Sequence, residues 1–122
     1  MTDSRFIDSS IWIDYLLYGN HKDLILSERI LLSSVLSLIE VKKRLLRLGF
    51  GEHIAKQSIA FIKQRSIIVP IDQEIVDKTI EAIDEKSLSM VDALIYASAL
   101  NSKSPLVSMD NDFRGLKNVE IR

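Results

Sequence analysis

Short apolar, β-branched runs alternate with helical periodicity along the whole of this 122-residue chain. Arg5-Phe6-Ile7, Ile30-Leu31-Leu32-Ser33-Ser34, Ser66-Ile67-Ile68-Val69, Leu106-Val107-Ser108 and Val119-Glu120-Ile121 predict strands. Between them Ile11, Trp12, Tyr15 and Leu16 recur at helical spacing, and Gly19-Asn20 breaks that pattern. A short polar helix or loop then runs through Glu28. Leu38, Val41, Leu45 and Leu48 form one stripe, with Gly49 as its stop, and Ile54, Ala55, Ile59 and Ile62 form another. Asp72 is placed to cap the next helix, with Ile71 and Val76 spaced for a hydrophobic staple. After the polar break Glu85-Lys86-Ser87 comes SMVDALIYASAL, hydrophobic nearly all round, which predicts a helix sandwiched inside the protein.

Strands separated by helices predict an α/β fold. The expected architecture is Rossmann-like: three α/β/α layers around a mostly parallel central sheet of four to five short strands, with residues 1–122 forming a single domain. A 47% hydrophobic composition is enough to fill its core without disulfides. No window approaches the roughly 18 apolar residues of a membrane span, and MTDSRFIDSS lacks the basic-then-apolar layout of a signal peptide. A cytoplasmic protein without a membrane partner is the expectation. The absence of cysteine removes thiolate nucleophiles and zinc–sulfur sites. His21 and His53 lie in separate polar stretches with no partner at ligand spacing, which disfavours Ser-His-Asp and His-rich metal chemistry. Carboxylate chemistry remains.

Parallel sheets bind ligands beyond the carboxyl ends of their strands. Asp8 and Asp110 fall just past two predicted strands, and Glu40 is expected to begin the helix after a third. Each acid also has an ordinary local use. Asp8 precedes Ser9-Ser10 as a helix cap would; Ser37 to Glu40 and Ser89 to Asp92 both have capping-box spacing; Asp110-Asn111-Asp112 is common turn chemistry. Two features go beyond those uses. Asp92 is the one charge between Val91 and Leu100, and Glu40 ends a segment, Ile30 to Ile39, that holds no charge. No arginine or lysine is expected beside either acid on its helix face. An ionised carboxylate so placed costs several kcal/mol, as a rough effective penalty, unless something compensates it. Acids gathered at one sheet edge also repel one another, and a divalent cation relieves that repulsion. Oxygen ligands without His or Cys select Mg²⁺ or Mn²⁺.

The net charge of −1 does not mark a nucleic-acid binder. Its distribution is uneven: Val41 to Arg65 carries seven basic residues and one acid, Glu52, whereas Asp72 to Glu85 carries six acids and one lysine. Two solvated helix faces of opposite sign are the simplest reading.

FIDSSIWIDYL, SSVLSLIEV, SMVDALIYASAL and VSMDNDF, in this order, resemble the motifs of the PIN domains, and within them the VapC-type toxins of toxin–antitoxin pairs. The similarity runs over nearly the whole chain. Ser9-Ser10 stands where the family often has Thr-Ser or Thr-Asn, Ser37 and Ser108 where it often has threonine, Tyr96 where it has alanine, and Met109 where it has a polar residue. The resemblance implies a Mg²⁺- or Mn²⁺-dependent endoribonuclease that activates water for in-line attack on phosphorus. It implies Asp8, Asp92 and Asp110 as metal ligands and Glu40 as a ligand or water-orienting base. Asp112 ranks below these four as a further ligand. Ser10 and Ser108 carry hydroxyls suited to a metal-bound water or a phosphate oxygen, or to a cap. A homodimer and a cognate antitoxin partner are also implied. The basic faces, with Lys42, Lys43 and Arg47 as the named positions, then become an RNA track that reads no sequence.

Two other readings keep the same fold: a family nuclease that cuts DNA or processes RNA, and a non-catalytic PIN-like binding module whose acids are only caps and turns. A phosphatase or a receiver domain fits less well. The first would want a second Asp where Ser10 stands, and the second an acceptor Asp where Pro70 follows Val69.

Overall fold

The computed structural model describes residues 3–83 and 88–122, so the break expected at Glu85-Lys86-Ser87 lies outside the described residues. Five strands form one sheet: β1 (Ser4–Ile7), β2 (Ile30–Ser34), β3 (Ser66–Val69), β4 (Leu106–Ser108) and β5 (Val119–Ile121). Their order is β3-β2-β1-β4-β5, and every neighbouring pair is parallel. The expected α/β build with a parallel sheet is what the chain adopts.

The period of two along each strand divides the core between the two faces of the sheet. Phe6 is in register with Leu32 on one side and Leu106 on the other, so these three share a face. They pack with Ile95, Ala99 and Phe113. Their neighbours Ile7, Leu31 and Val107 turn the other way and join Ile11, Trp12, Val41, Leu45 and Ile62. The second set brings α1 (Ser9–Tyr18), α3 (Val35–Arg47) and α4 (Glu52–Arg65) onto one face. The first brings α6 (Met90–Asn101) onto the other, where it also packs against α5 (Gln73–Ala82). As its apolar circumference predicts, α6 is buried along its middle, at Ala93, Ile95, Ala97, Ser98 and Ala99, while Met90 and Leu100 emerge towards its ends.

Local details depart from the sequence reading in two places, both in α3. The cap of α3 is Ser34, whose Oγ accepts the Leu36 N–H at 3.1 Å, so Ser37 lies inside the first turn. Strand β2 runs straight into this helix, which moves the start three residues earlier than the capping-box spacing implies. The apolar stripe of α3 ends at Leu45: Leu48 is the C-cap residue and is 48% exposed. The polar stretch after Gly19-Asn20 contains one helical turn, α2 (Lys22–Ile25), anchored by buried Leu24 and Ile25. Asp72 does cap α5, accepting the Ile75 N–H at 2.9 Å.

Trp12 is fully buried, and its indole N–H donates to Ser33 Oγ at 2.9 Å. Ser33 in turn donates to Ser66 Oγ, and Ser66 to the Ile62 carbonyl, so these buried polar groups satisfy one another. His21 does have a partner: its Nε2 lies 2.7 Å from Asp14 Oδ2, with the Arg122 guanidinium near its other nitrogen. The Arg122 contact joins positions 101 residues apart, which spacing along the sequence cannot show. Among the described residues, no helix is long and apolar enough to cross a membrane.

Candidate metal centre

Strand order reverses beside β1, where the chain has built β2 and β3 to one side and then crosses to add β4 and β5 on the other. At such a switch the connections leave in opposite directions and open a crevice past the strand ends. Asp8 follows β1 there and Asp110 follows the Ser108 end of β4, two residues on. The ends of the two strands are tied across the gap, with the Asp8 N–H donating to Val107 O at 3.0 Å. Glu40 points in from the second turn of α3, and Asp92 from the first turn of α6. Asp8, Glu40, Asp92 and Asp110 line one cavity of about 320 Å³.

The local uses proposed for these acids are only partly realised. Asp8 occupies the N-cap position of α1, but its carboxylate makes no capping bond. Its Oδ2 instead accepts the hydroxyls of Ser10 at 2.8 Å and Ser108 at 2.7 Å. Helix α6 is capped by Ser89, which accepts the Asp92 backbone N–H, so the cap is made by the serine and not by the Asp92 carboxylate. Asp110 does serve its turn, taking the Asp112 N–H at 2.9 Å on Oδ1. Asp92, Asp110 and Asp112 each offer an oxygen within 4.8 Å of the others. Asp112, ranked below the other four from sequence, thus belongs to this group although it is exposed, whereas Asp8 and Glu40 line the cavity outside it.

Burial pushes the Glu40 carboxyl above its ordinary value, and the charges of Asp8 and Asp92 push it further; the Ser9 hydroxyl and Lys43 act against them. Asp92 is raised in the same way, by burial and then by Asp110, Asp8 and Asp112. Among the described residues, Glu40 Oε1 is buried and has no hydrogen-bond donor. A buried acceptor without a donor, in a ring of mutually repelling carboxylates, wants a cation. The donor set is all oxygen, which fits Mg²⁺ or Mn²⁺ and not zinc.

The charge around this cavity differs from the sequence reading. Lys43, Arg44 and Arg47 line it beside the acids, so basic groups do stand next to Glu40. They follow Glu40 by three, four and seven residues, the spacing that returns to one helix face. Lys42, one of the three basic positions named for RNA, is turned away: it pairs with Glu52 at 2.6 Å. Arg44 takes its place. The signal was available in the spacing from Glu40, but only once Glu40 was known to face the cavity.

The PIN domain family model matches residues 5–119. The chain belongs to the PIN domain family. Among solved structures, this PIN domain is similar to a toxin–antitoxin complex from Klebsiella pneumoniae (TM-score 0.76, 21% identity, 95% of each chain covered). It is also similar to a sarcin–ricin-loop-cleaving VapC toxin of Mycobacterium tuberculosis (TM-score 0.75, 22% identity, 96% of this chain and 98% of that one). A third is a VapBC complex from Rickettsia felis bound to promoter DNA (TM-score 0.73, 14% identity, 98% and 97% covered). At these identities the likeness establishes the fold. No curated protein matches the sequence. PIN nucleases generally use a divalent metal, and the acidic cluster described above is where this chain would hold one.

Proposed function

We propose that this PIN domain is a Mg²⁺- or Mn²⁺-dependent endoribonuclease, the toxin of a toxin–antitoxin pair, acting in the cytoplasm. The observation that carries the reading is a single cavity with two kinds of wall: carboxylates at the sheet edge and Lys43, Arg44 and Arg47 along α3. A phosphodiester needs both, since a cation site must sit next to groups that hold the flanking phosphates.

Asp92, Asp110 and Asp112, whose oxygens lie within 4.8 Å of one another, would hold the cation together with Asp8, which lines the same cavity. When bound, the metal supplies a nucleophile at neutral pH and offsets charge developing at phosphorus, with no need for a histidine base. Glu40, whose Oε1 is buried with no donor among the described residues, would orient water or take its proton. Lys43, Arg44 and Arg47 bind backbone phosphates and position the strand without reading bases.

An antitoxin that silences this site has to cover it. The groove between α3 and α4, lined by Leu38, Ile39, Leu46 and Ile59, opens beside the cavity and shares Lys43 with it. Ile39 is 60% exposed there, which suits an apolar segment of such a partner. Pairing into a homodimer belongs to the same proposal, and sedimentation of the purified chain reads it directly.

The test is incubation of the purified protein with tRNA, rRNA and single-stranded DNA, each with Mg²⁺, Mn²⁺ or EDTA, alongside Asp8→Asn. RNA cleavage that needs the metal and is lost in the variant is expected. Cleavage of DNA alone would redirect the substrate assignment, and RNA cleavage surviving in Asp8→Asn or in EDTA would remove the metal site.

A further inference from the structure

The two serine hydroxyls beside Asp8, 3.4 Å apart, are each held by a backbone amide. Ser10 Oγ accepts the Met109 backbone N–H at 3.0 Å, and Ser108 Oγ accepts the Asp110 backbone N–H at 2.9 Å. Neither amide can turn, so each hydroxyl must direct its own proton elsewhere. Both reach the same atom, Asp8 Oδ2, at 2.8 and 2.7 Å. The relay therefore runs from the turn after β4, through two hydroxyls, onto one oxygen of a carboxylate on the neighbouring strand. The Asp8 backbone is itself held, donating to Val107 O and accepting from Ile11 N–H. No described hydrogen bond reaches Asp8 Oδ1.

We propose that Ser10 and Ser108 are positioning residues that make Asp8 a one-oxygen ligand, so that the centre takes a small octahedral cation and discriminates against Ca²⁺. This rests on the cation site proposed above and adds its selectivity. Ca²⁺ takes six to eight oxygens and commonly uses both oxygens of a carboxylate, at longer and more variable distances, whereas Mg²⁺ demands short bonds and near-ideal octahedral angles. A carboxylate with one oxygen committed to two hydroxyls cannot swing to chelate. Asp110 is restrained in the same sense, because its Oδ1 is taken by the Asp112 N–H. The two acids that close the β1/β4 crevice thus each have one oxygen spoken for. Groups that orient metal ligands in this way are generally worth about 10- to 100-fold in metal affinity.

The test is calorimetric titration of the full chain, metal-free, with Mn²⁺ and separately with Ca²⁺, for wild type, Ser10→Ala, Ser108→Ala and Ser108→Thr. Wild type is expected to prefer Mn²⁺. Each alanine variant should lose about 10- to 100-fold in Mn²⁺ affinity while Ca²⁺ affinity falls less or rises, narrowing the preference about tenfold or more. Ser108→Thr, which keeps the hydroxyl, should restore the wild-type ratio. Ser108 is fully buried, so Ser10→Ala, at a half-buried position, decides the matter should Ser108→Ala fail to fold. An unchanged Mn²⁺-to-Ca²⁺ ratio in Ser10→Ala would overturn the positioning role while leaving the cation site standing. Failure of wild type to bind Mn²⁺ at all would overturn the site and the inference together.

Discussion

Replacing Asp92 by Asn should stabilise the metal-free protein and weaken it in the presence of metal. Asp92 shares its surroundings with Asp110 and Asp112, each with an oxygen no more than 4.8 Å from its own, and with Asp8. At 4.8 Å, unit charges repel by about 0.9 kcal/mol under bulk-water screening and about 3.5 kcal/mol at an effective dielectric of about 20. Asp92 is half-buried, so its relief lies between those limits. Against it stands the loss of a negative charge in the first turn of α6, about 0.3–1 kcal/mol. The Ser89 cap is unaffected, because it takes the backbone N–H of residue 92. The net gain is about 1 kcal/mol, or about 4 °C in Tm for a chain of this size. Thermal denaturation in EDTA followed by circular dichroism reads this, and a second series in saturating Mn²⁺ should reverse the order, since wild type alone keeps the full ligand set. A variant that melts at or below wild type in EDTA would refute the repulsion on which the cation argument depends.

Three further outcomes follow from the same structure. Glu40 and Asp92 have raised carboxyl values in the folded chain, so their favourable contribution is complete below the ordinary carboxyl range and is lost as pH rises through the raised values; metal-free Tm should fall over that interval, where Asp3, Asp23 and Glu52, all lowered, are already ionised, and the fall should shrink in Asp92→Asn. Arg44→Glu and Arg47→Glu should weaken RNA binding and flatten its salt dependence by about one unit of slope each, while Lys42→Glu, at a position turned towards Glu52, should change neither, as fluorescence anisotropy at several salt concentrations would show. Trp12→Phe removes the donor to Ser33 and opens space in a fully buried site, a cost of about 2–4 kcal/mol, read as a lower urea midpoint at unchanged slope.

The sheet was legible because each strand is a short apolar run bounded by polar or helical pattern, and a period of two leaves no choice about which residues face which layer. Asp8 and Asp110 were legible as edge residues for the same reason: once a strand ends at Ile7 or Ser108, the next acid lies past its carboxyl end. What sequence could not give was the direction of side chains on α3. Lys42, Lys43 and Arg44 are successive residues about 100° apart around a helix, so composition alone marks the whole surface as basic. The buried partners Val41 and Leu45 fix the rotation, and with it Lys43, Arg44 and Arg47 towards Glu40 and Lys42 towards Glu52. The cap of α3 is ambiguous in the sequence for a related reason: Ser34 and Ser37 both offer a hydroxyl, and only the end of β2 decides between them. The pairing of His21 with Asp14 depends on the loop after α1 folding back, and the double claim on Asp8 by Ser10 and Ser108 depends on β1 and β4 being neighbours. These are tertiary facts with no local signature.

That carboxylates from β1, α6 and the turn after β4 gather to hold a divalent cation is tested most directly by a crystal of the protein soaked in Mn²⁺ and measured at the manganese absorption edge. The predicted result is an anomalous peak bonded to Asp92, Asp110 and the Oδ1 of Asp8, absent from crystals of Asp92→Asn. A soaked crystal with no peak in the cavity, or with manganese held only by residues outside it, would contradict it.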